Sequence, residues 1–168
     1  MTYRRMFLDG YSYYITMVTH ARNPILIENI DLLRKSFAYA KSLFSFRIEA
    51  IVILPDHIHM IIEVDHAKDY PKIISSIKRY FSKRCDPKFC EGIYQSKSRM
   101  RQGYGLVWQK RFYEHTIRDE KDYQEKLQYI YNNPLKHGLT DNIYHWQYGS
   151  LNFRRFDRVK RQNKIIII

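Results

Sequence analysis

The stretch "FRIEAIVILPDHIHMIIEV", residues 46–64, predicts two neighbouring strands of an antiparallel sheet. Both halves have the composition of a strand, and Pro55 with Asp56 supplies a tight connection between them. Successive side chains of a strand point to opposite faces, so His57 and His59 share one face and the apolar residues beside them take the other. An apolar strand therefore carries two imidazoles on one face.

Outside this stretch, the sequence alternates between strand and helix signals, with no repeat and no low-complexity linker. Pro71 opens one predicted helix, and Asp119 is a candidate N-cap of another that should end before Pro134. In chain order, the predicted elements are strand 11–20, helix 29–44, strands 46–55 and 57–64, helix 71–85, a strand within 105–119 and helix 119–133.

This order predicts an α+β fold, a ferredoxin-like antiparallel sheet with helices packed on it. The 168 residues fit one domain. We assign that domain to residues 1–151 and a basic, flexible tail to residues 152–168. Segment 86–106 is rich in Gly, Ser and Lys, and it is predicted to be a mobile loop that orders on a ligand.

The charge points to a polyanionic partner. The chain has 29 Lys and Arg against 17 Asp and Glu, a net charge of +12. Such an excess is typical of nucleic-acid binding, and residues 71–118 alone hold 12 Lys and Arg against 3 Asp and Glu. The alternative for any single lysine is a solvated helix face. Candidate DNA contacts are the predicted helix residues Lys78, Arg79, Lys83 and Arg84 and the predicted strand residues Lys110 and Arg111.

Two cysteines, Cys85 and Cys90, are too few for a disulfide scaffold or a four-cysteine zinc site. No stretch approaches the roughly 18 apolar residues of a membrane span, and the N-terminus lacks the apolar core of a signal peptide. We therefore expect a soluble, cytoplasmic protein with reduced thiols and no membrane partner.

The two histidines admit two interpretations. Polar groups in an apolar strand must be hydrogen-bonded or ligated, and two imidazoles on one face can converge on one metal ion. The alternative is a pair of histidines bonded to neighbours in a half-exposed strand. A third ligand would favour the metal.

The predicted helix 119–133 offers a polar face that the core does not use. Its core stripe is formed by Tyr123, Leu127 and Ile130. Tyr129 and Asn133 share another face one turn apart, with Lys126 on the same side. Tyr131 falls closer to the core stripe, so it is the weaker candidate for chemistry.

The motifs "LPDHIHMII" (54–62) and "YIYNNPLKHGL" (129–139) together resemble the single-tyrosine HUH transposases, above all the REP-associated tyrosine transposases and their insertion-sequence relatives. The stretches "VWQKRFYEHTIRDEKDYQEKL" (107–127) and "HWQYGSL" (145–151) are also similar to that family. The resemblance covers residues 10 to 151. The tail at 152–168 has no counterpart in it.

The resemblance implies a metal-dependent enzyme that cleaves and rejoins single-stranded DNA at hairpins. It implies Tyr129 as the nucleophile of a 5′-phosphotyrosine intermediate and a divalent ion held by His57, His59 and Asn133. Imidazole ligands alone suit zinc or another transition metal, whereas the resemblance favours Mg²⁺ or Mn²⁺. The implied partner is single-stranded or hairpin DNA in the bacterial nucleoid. The resemblance is also compatible with a homodimer.

Further candidates follow from chain connectivity. Lys136 and His137, which come directly after the predicted catalytic helix, are candidate DNA contacts, as is Lys126. Lys126 is also a candidate cation for assisting loss of the Tyr129 proton. Two rival functions stay open: a domesticated nucleic-acid-binding protein that no longer cuts, and a zinc-dependent hydrolase in which Tyr129 is structural.

Overall fold

The computed structural model describes residues 11–151, so the tail predicted at 152–168 lies outside the described residues. None of the helices described in this range has the length and apolar composition needed to cross a membrane. The elements are β1 (Ser12–Val18), α1 (Ile30–Leu43), β2 (Phe46–Ile53), β3 (His57–Val64), α2 (Tyr70–Arg84), α3 (Lys97–Arg101), β4 (Tyr113–Thr116) and α4 (Glu120–Lys136).

The four strands form one sheet in the order β2-β3-β1-β4, and every neighbouring pair is antiparallel. This is the strand order of a ferredoxin-like fold, so the predicted fold class is confirmed. The strand β3 occupies a central position, with His59 paired to Thr16 on one side and to Val52 on the other. The side chains of β3 are therefore positioned by a paired strand on each side.

The two faces of the sheet have separate cores. On one face, α1 and α2 pack against each other and against alternate residues of β3, among them Ile58 and Met60. On the other face, α4 packs on β2 and β3 through a smaller cluster that includes Ile61 and Ile130. His57 and His59 alternate with Ile58 and Met60, so they face α4, as the strand periodicity predicts.

The helix α4 continues past Pro134, so the prediction that it ends before that residue is wrong. A proline in a helix removes one backbone hydrogen bond and crowds the preceding turn. Here the final turn is held by His137 N, which donates to Asn133 O (3.1 Å), and by Leu139 N, which donates to Pro134 O (2.9 Å). The predicted N-cap is correct, because the Asp119 carboxylate accepts from Asp122 N. The extra turn brings the residues after Pro134 onto the same helix as Tyr129.

Two other predictions need correction. Segment 86–106 contains a 3-10 turn at Pro87–Cys90 and the short helix α3, whose N-cap Ser96 accepts from Arg99 N, so it is more ordered than a structureless loop. Lys110 and Arg111 precede β4 instead of lying on it. The chain leaves strand geometry there, since Trp108 makes only an isolated bridge to the end of β1.

Candidate active site

The start of β3 places two imidazoles side by side beneath α4. The side chains of His57 and His59 are buried, with only 4% and 5% of their surface exposed. Their ring centroids lie 4.9 Å apart, with the planes nearly perpendicular. The prediction that the two histidines share one face is confirmed by this contact.

His57 is hydrogen-bonded through its Nδ1 atom to the Asp56 carboxylate. That nitrogen lies 2.5 Å from Asp56 Oδ1, and Arg22 Nη1 lies 3.4 Å from both Asp56 Oδ2 and His57 Nδ1. With its proton on Nδ1, the ring donates to the carboxylate and keeps a lone pair on Nε2. A carboxylate behind an imidazole is the usual arrangement around metal-binding histidines, because it fixes the tautomer and the ring orientation.

His59 is held in the same way by two hydroxyl groups. Its Nδ1 lies 2.8 Å from the Tyr14 hydroxyl and 2.9 Å from Thr16 Oγ1, both on β1. In the Nδ1–H tautomer, the ring donates to these oxygens and leaves Nε2 with its lone pair. Within residues 11–151, both histidines thus have a supported Nδ1 and an Nε2 with no hydrogen-bond partner in the protein.

Electrostatics keep His59 neutral. Burial, together with the nearby charges of His57, His137, Arg22 and Lys136, lowers its pKa to about 3. An imidazole must be neutral to ligate a metal, so a depressed pKa removes competition from protons at neutral pH.

Asn133 is fully buried, yet neither Nδ2 nor Oδ1 of its amide has a hydrogen-bond partner in the part of the chain that the structure describes. A buried polar group without a partner costs about 1–3 kcal/mol of stability, so this amide is a candidate metal ligand. One helical turn before it, Tyr129 contacts His59; one turn after it, His137 contacts His57 at 5.1 Å between centroids. By helical spacing, Asn133 falls between them on the same face of α4.

These residues fit a divalent ion. Among residues 11–151, no three His, Cys, Asp or Glu side chains are grouped so that they could bind a metal ion. An amide oxygen suits a hard cation such as Mg²⁺ or Mn²⁺. Two free Nε2 atoms and an unsatisfied buried amide supply such a donor set.

Tyr129 lies at the open side of this cluster. It is 40% exposed, and its ring meets His59 edge-on with centroids 5.2 Å apart. The Lys136 ammonium lies 5.2 Å from the centroid of the Tyr129 ring. Tyr131 instead packs against the small core between α4 and the sheet, as its helical angle predicts.

Lys126, the candidate cation for Tyr129, contacts Asp122 and Tyr14 in the structure. Lys126 lies 4.0 Å from the Asp122 carboxylate and over the Tyr14 ring, because Asp122 sits one turn earlier on the same face of α4. Asp122 also binds His115 of β4 at 2.7 Å. Lys126 therefore belongs to a network that joins α4 to the sheet, while Lys136 is over the Tyr129 ring.

The other basic candidates fall into two groups away from the histidines. Lys78, Arg79, Lys110 and Arg111 line one cleft of about 550 Å³ between α2 and residues 103–112. Lys78 is the least available of them, because burial lowers its pKa to about 8 and its Nζ donates to Gln109 O. Lys83 and Arg84 lie exposed at the end of α2, with Arg84 stacked over Tyr80.

Four residues around the site escaped the sequence analysis: Tyr14, Thr16, Arg22 and Asp56. Asp56 carried a signal, since it is the residue directly before the first histidine. Tyr14 and Thr16 alternate on the predicted first strand, but their contact with His59 requires the register between β1 and β3. Nothing in the sequence marks Arg22, which reaches the site through an unusual turn.

Comparisons with known proteins agree with this geometry. The family model described as "Transposase IS200 like" matches residues 8–133. The chain is 36% identical over 150 residues to a putative REP-associated tyrosine transposase of Haemophilus influenzae, covering 88% of this chain and 84% of the relative. It is 30% identical over 150 residues to the REP-associated tyrosine transposase of Escherichia coli, covering 88% of this chain and 81% of that one.

A solved structure supports the same assignment. A REP-associated tyrosine transposase bound to a REP hairpin superposes with a TM-score of 0.76 at 26% identity, covering 100% of this chain and 94% of that chain. Family model, sequence relatives and fold coincide over most of the molecule. The chain therefore belongs to the IS200-like transposase family, a family of DNA-cleaving, strand-transfer enzymes.

Proposed function

We propose that the protein cleaves and rejoins single-stranded DNA beside hairpins, with Tyr129 as the nucleophile. The observation that carries the proposal is the contact of α4 with β3. Tyr129 lies against His59 and His137 lies against His57. Asn133, whose buried amide has no hydrogen-bond partner among the described residues, comes one helical turn after Tyr129. A nucleophile beside a set of metal ligands is what phosphoryl transfer requires.

In the proposed step, the Tyr129 oxygen attacks the phosphorus of one phosphodiester. A bond forms from phosphorus to Tyr129, and the bond from phosphorus to the 3′ oxygen of the preceding nucleotide breaks. The phenol loses its proton to solvent and the departing oxygen takes one up, leaving a free 3′-OH and a 5′-phosphotyrosine. The phosphodiester is conserved, so the 3′-OH of another strand can reverse the step and join the DNA.

His57, His59 and Asn133 are the residues proposed to hold Mg²⁺ or Mn²⁺. When bound, such an ion supplies Lewis-acid polarisation of a phosphate oxygen and neutralises charge that develops on it. The protein itself contributes the orientation of its ligands through Asp56 and Tyr14.

The proposed substrate is hairpin DNA with single-stranded flanks, since a solved relative is bound to a REP hairpin. The basic cleft lined by Arg79, Lys110 and Arg111 supports contact with a phosphate backbone, as do the exposed Lys83 and Arg84. Lys136 and His137 border the histidine pair and would meet the strand at the reacting phosphate.

The test uses a pool of hairpin oligonucleotides with randomised stems and flanks, first selected for binding to the wild-type protein. The labelled, selected DNA is incubated with the protein and Mg²⁺ or Mn²⁺, then run on a denaturing gel. A covalent protein–DNA adduct that disappears with excess EDTA supports the proposal. Strand cleavage without an adduct would favour a metal-dependent hydrolase, and binding without cleavage would favour a domesticated binding protein.

A further inference from the structure

A strained turn follows β1 directly beside the histidine pair. Ala21 and Arg22 both have φ of 55°, in the left-handed region, and neither is a glycine. Side chains with a Cβ atom rarely adopt this conformation, and two in succession are rarer still. Such backbone persists only where the surroundings enforce it, and it concentrates at functional sites.

The surroundings here fasten the turn to the connection that precedes His57. The fully buried Thr19 donates its backbone N–H to Asp56 O at 2.9 Å, and its Oγ1 lies 2.9 Å from the same carbonyl oxygen. On the far side of the turn, Asn23 Nδ2 donates to Phe89 O at 2.6 Å. Both ends of the turn are thereby fixed, and the position of Arg22 relative to His57 is fixed with them.

The side chain that this turn presents is only loosely engaged. Arg22 is 59% exposed, and its contacts with Asp56 and His57 are long, at 3.4 Å. A guanidinium carries five N–H donors, so most of them face solvent. Exposed ion pairs contribute almost nothing to stability. A weak ion pair of Arg22 would therefore not offset the cost of the strained backbone.

The location of Arg22 suits a phosphate. It approaches the pair from His57, whereas Tyr129 approaches from His59, so the guanidinium and the phenol flank the two imidazoles from different ends. The planar fork of an arginine matches two phosphate oxygens at once, which a lysine cannot do.

We propose that Arg22 is a catalytic residue whose guanidinium binds a DNA phosphate at or next to the cleavage position, and that the Ala21–Arg22 turn holds it there. This inference rests on the proposed function and adds a contact to it. The competing role is a purely structural one, in which Arg22 only keeps Asp56 and His57 in place. If Arg22 only keeps Asp56 and His57 in place, a higher metal concentration should restore the reaction rate of a variant that lacks it. If Arg22 binds the phosphate, a higher metal concentration should not restore that rate.

The experiment measures single-turnover adduct formation on the selected hairpin DNA with the full-length protein at saturating Mn²⁺. Arg22→Ala is compared with Arg22→Lys and with the matched control Arg34→Ala, which removes an exposed arginine of α1 paired with Asp31. We expect Arg22→Ala to slow the reaction about 10- to 100-fold with less than about 5-fold loss of DNA affinity. Arg22→Lys should recover only part of the rate, and Arg34→Ala should match the wild type.

Neutral methylphosphonates placed one at a time along the strand identify the phosphate. At one position the substitution should slow the wild type but have no further effect on Arg22→Ala, the signature of a shared contact. Wild-type rates for Arg22→Ala at the Mn²⁺ concentration that saturates the wild type, or full recovery of its rate at higher Mn²⁺ concentrations, would overturn the inference while leaving the proposed function intact. Absence of an adduct with the wild-type protein would overturn both.

Discussion

The Tyr129 ring meets the His59 imidazole edge-on, with centroids 5.2 Å apart. One residue lies on a helix and the other on a central strand, so their relationship is set by the packing of α4 on the sheet. Sites built on such elements hold their geometry better than sites built on loops. The contact therefore links the fold to the proposed chemistry.

Because the buried amide of Asn133 has no hydrogen-bond partner among the described residues, we expect its replacement to stabilise the protein and to weaken metal binding. Asn133→Leu replaces a buried amide with an apolar side chain of the same branching, so the metal-free protein should gain about 1 kcal/mol or more in unfolding free energy. The same variant should lose the proposed third ligand. In thermal denaturation, Mn²⁺ should raise the melting temperature of the wild type but hardly that of the variant.

The neighbouring asparagine provides a matched control. Asn132 is exposed on the same turn of α4, so Asn132→Leu should leave both the metal-free stability and the response to Mn²⁺ almost unchanged. If Asn133→Leu strongly destabilised the metal-free protein and still responded to Mn²⁺, the amide would be a structural group and not a ligand.

The depressed pKa of His59 predicts acid sensitivity of the metal-free protein. Burial holds the pKa near 3 in the folded state, below the ordinary value of 6.5. Between these two values the unfolded chain binds a proton on His59 that the folded chain does not bind. The resulting stability is fully present above about pH 6.5 and is lost as the pH falls from there toward 3. Between pH 7 and pH 5 the loss should be about 2 kcal/mol.

Urea denaturation in EDTA at these two pH values measures that loss. A His59→Gln variant removes the titrating group, so its unfolding free energy should fall by about 2 kcal/mol less than that of the wild type over the same interval. Equal losses in both proteins would show that His59 is not the group responsible.

The hydroxyl of Tyr14 is predicted to tune metal affinity. Burial raises the pKa of this phenol, which therefore stays protonated, and its oxygen lies 2.8 Å from His59 Nδ1. Tyr14→Phe leaves Thr16 as the remaining partner of that nitrogen, so affinity for Mn²⁺ should fall about 10-fold. Tyr113→Phe, an exposed tyrosine against the Tyr14 ring, is the control and should bind Mn²⁺ like the wild type. Unchanged affinity in Tyr14→Phe would remove the hydroxyl from the account.

Local periodicity made much of this site predictable. Alternation along β3 places His57 and His59 on one face, and the helical angle separates Tyr129 from Tyr131; both follow from neighbours in sequence. The contact between Tyr14 and His59 joins residues 45 positions apart and depends on strand register, which no local pattern specifies.

The misplaced features have physical reasons of their own. Pro134 was expected to end α4, but a proline near a helix end costs only one hydrogen bond, and packing of the helix on the sheet outweighs that loss. The turn at Arg22 uses a backbone conformation that its sequence does not favour, so tertiary contacts alone establish it. Residues whose position opposes local preference are the ones that sequence patterns miss.

The central claim, that Tyr129 is the nucleophile, is tested most directly by Tyr129→Phe. The change removes one hydroxyl from a 40% exposed ring, so the fold, Mn²⁺ binding and hairpin binding should persist. On a denaturing gel with Mn²⁺, the variant should form no covalent adduct with the selected hairpin DNA, while Tyr131→Phe should form it at close to the wild-type rate. Adduct formation by Tyr129→Phe, or its loss in Tyr131→Phe alone, would contradict the account.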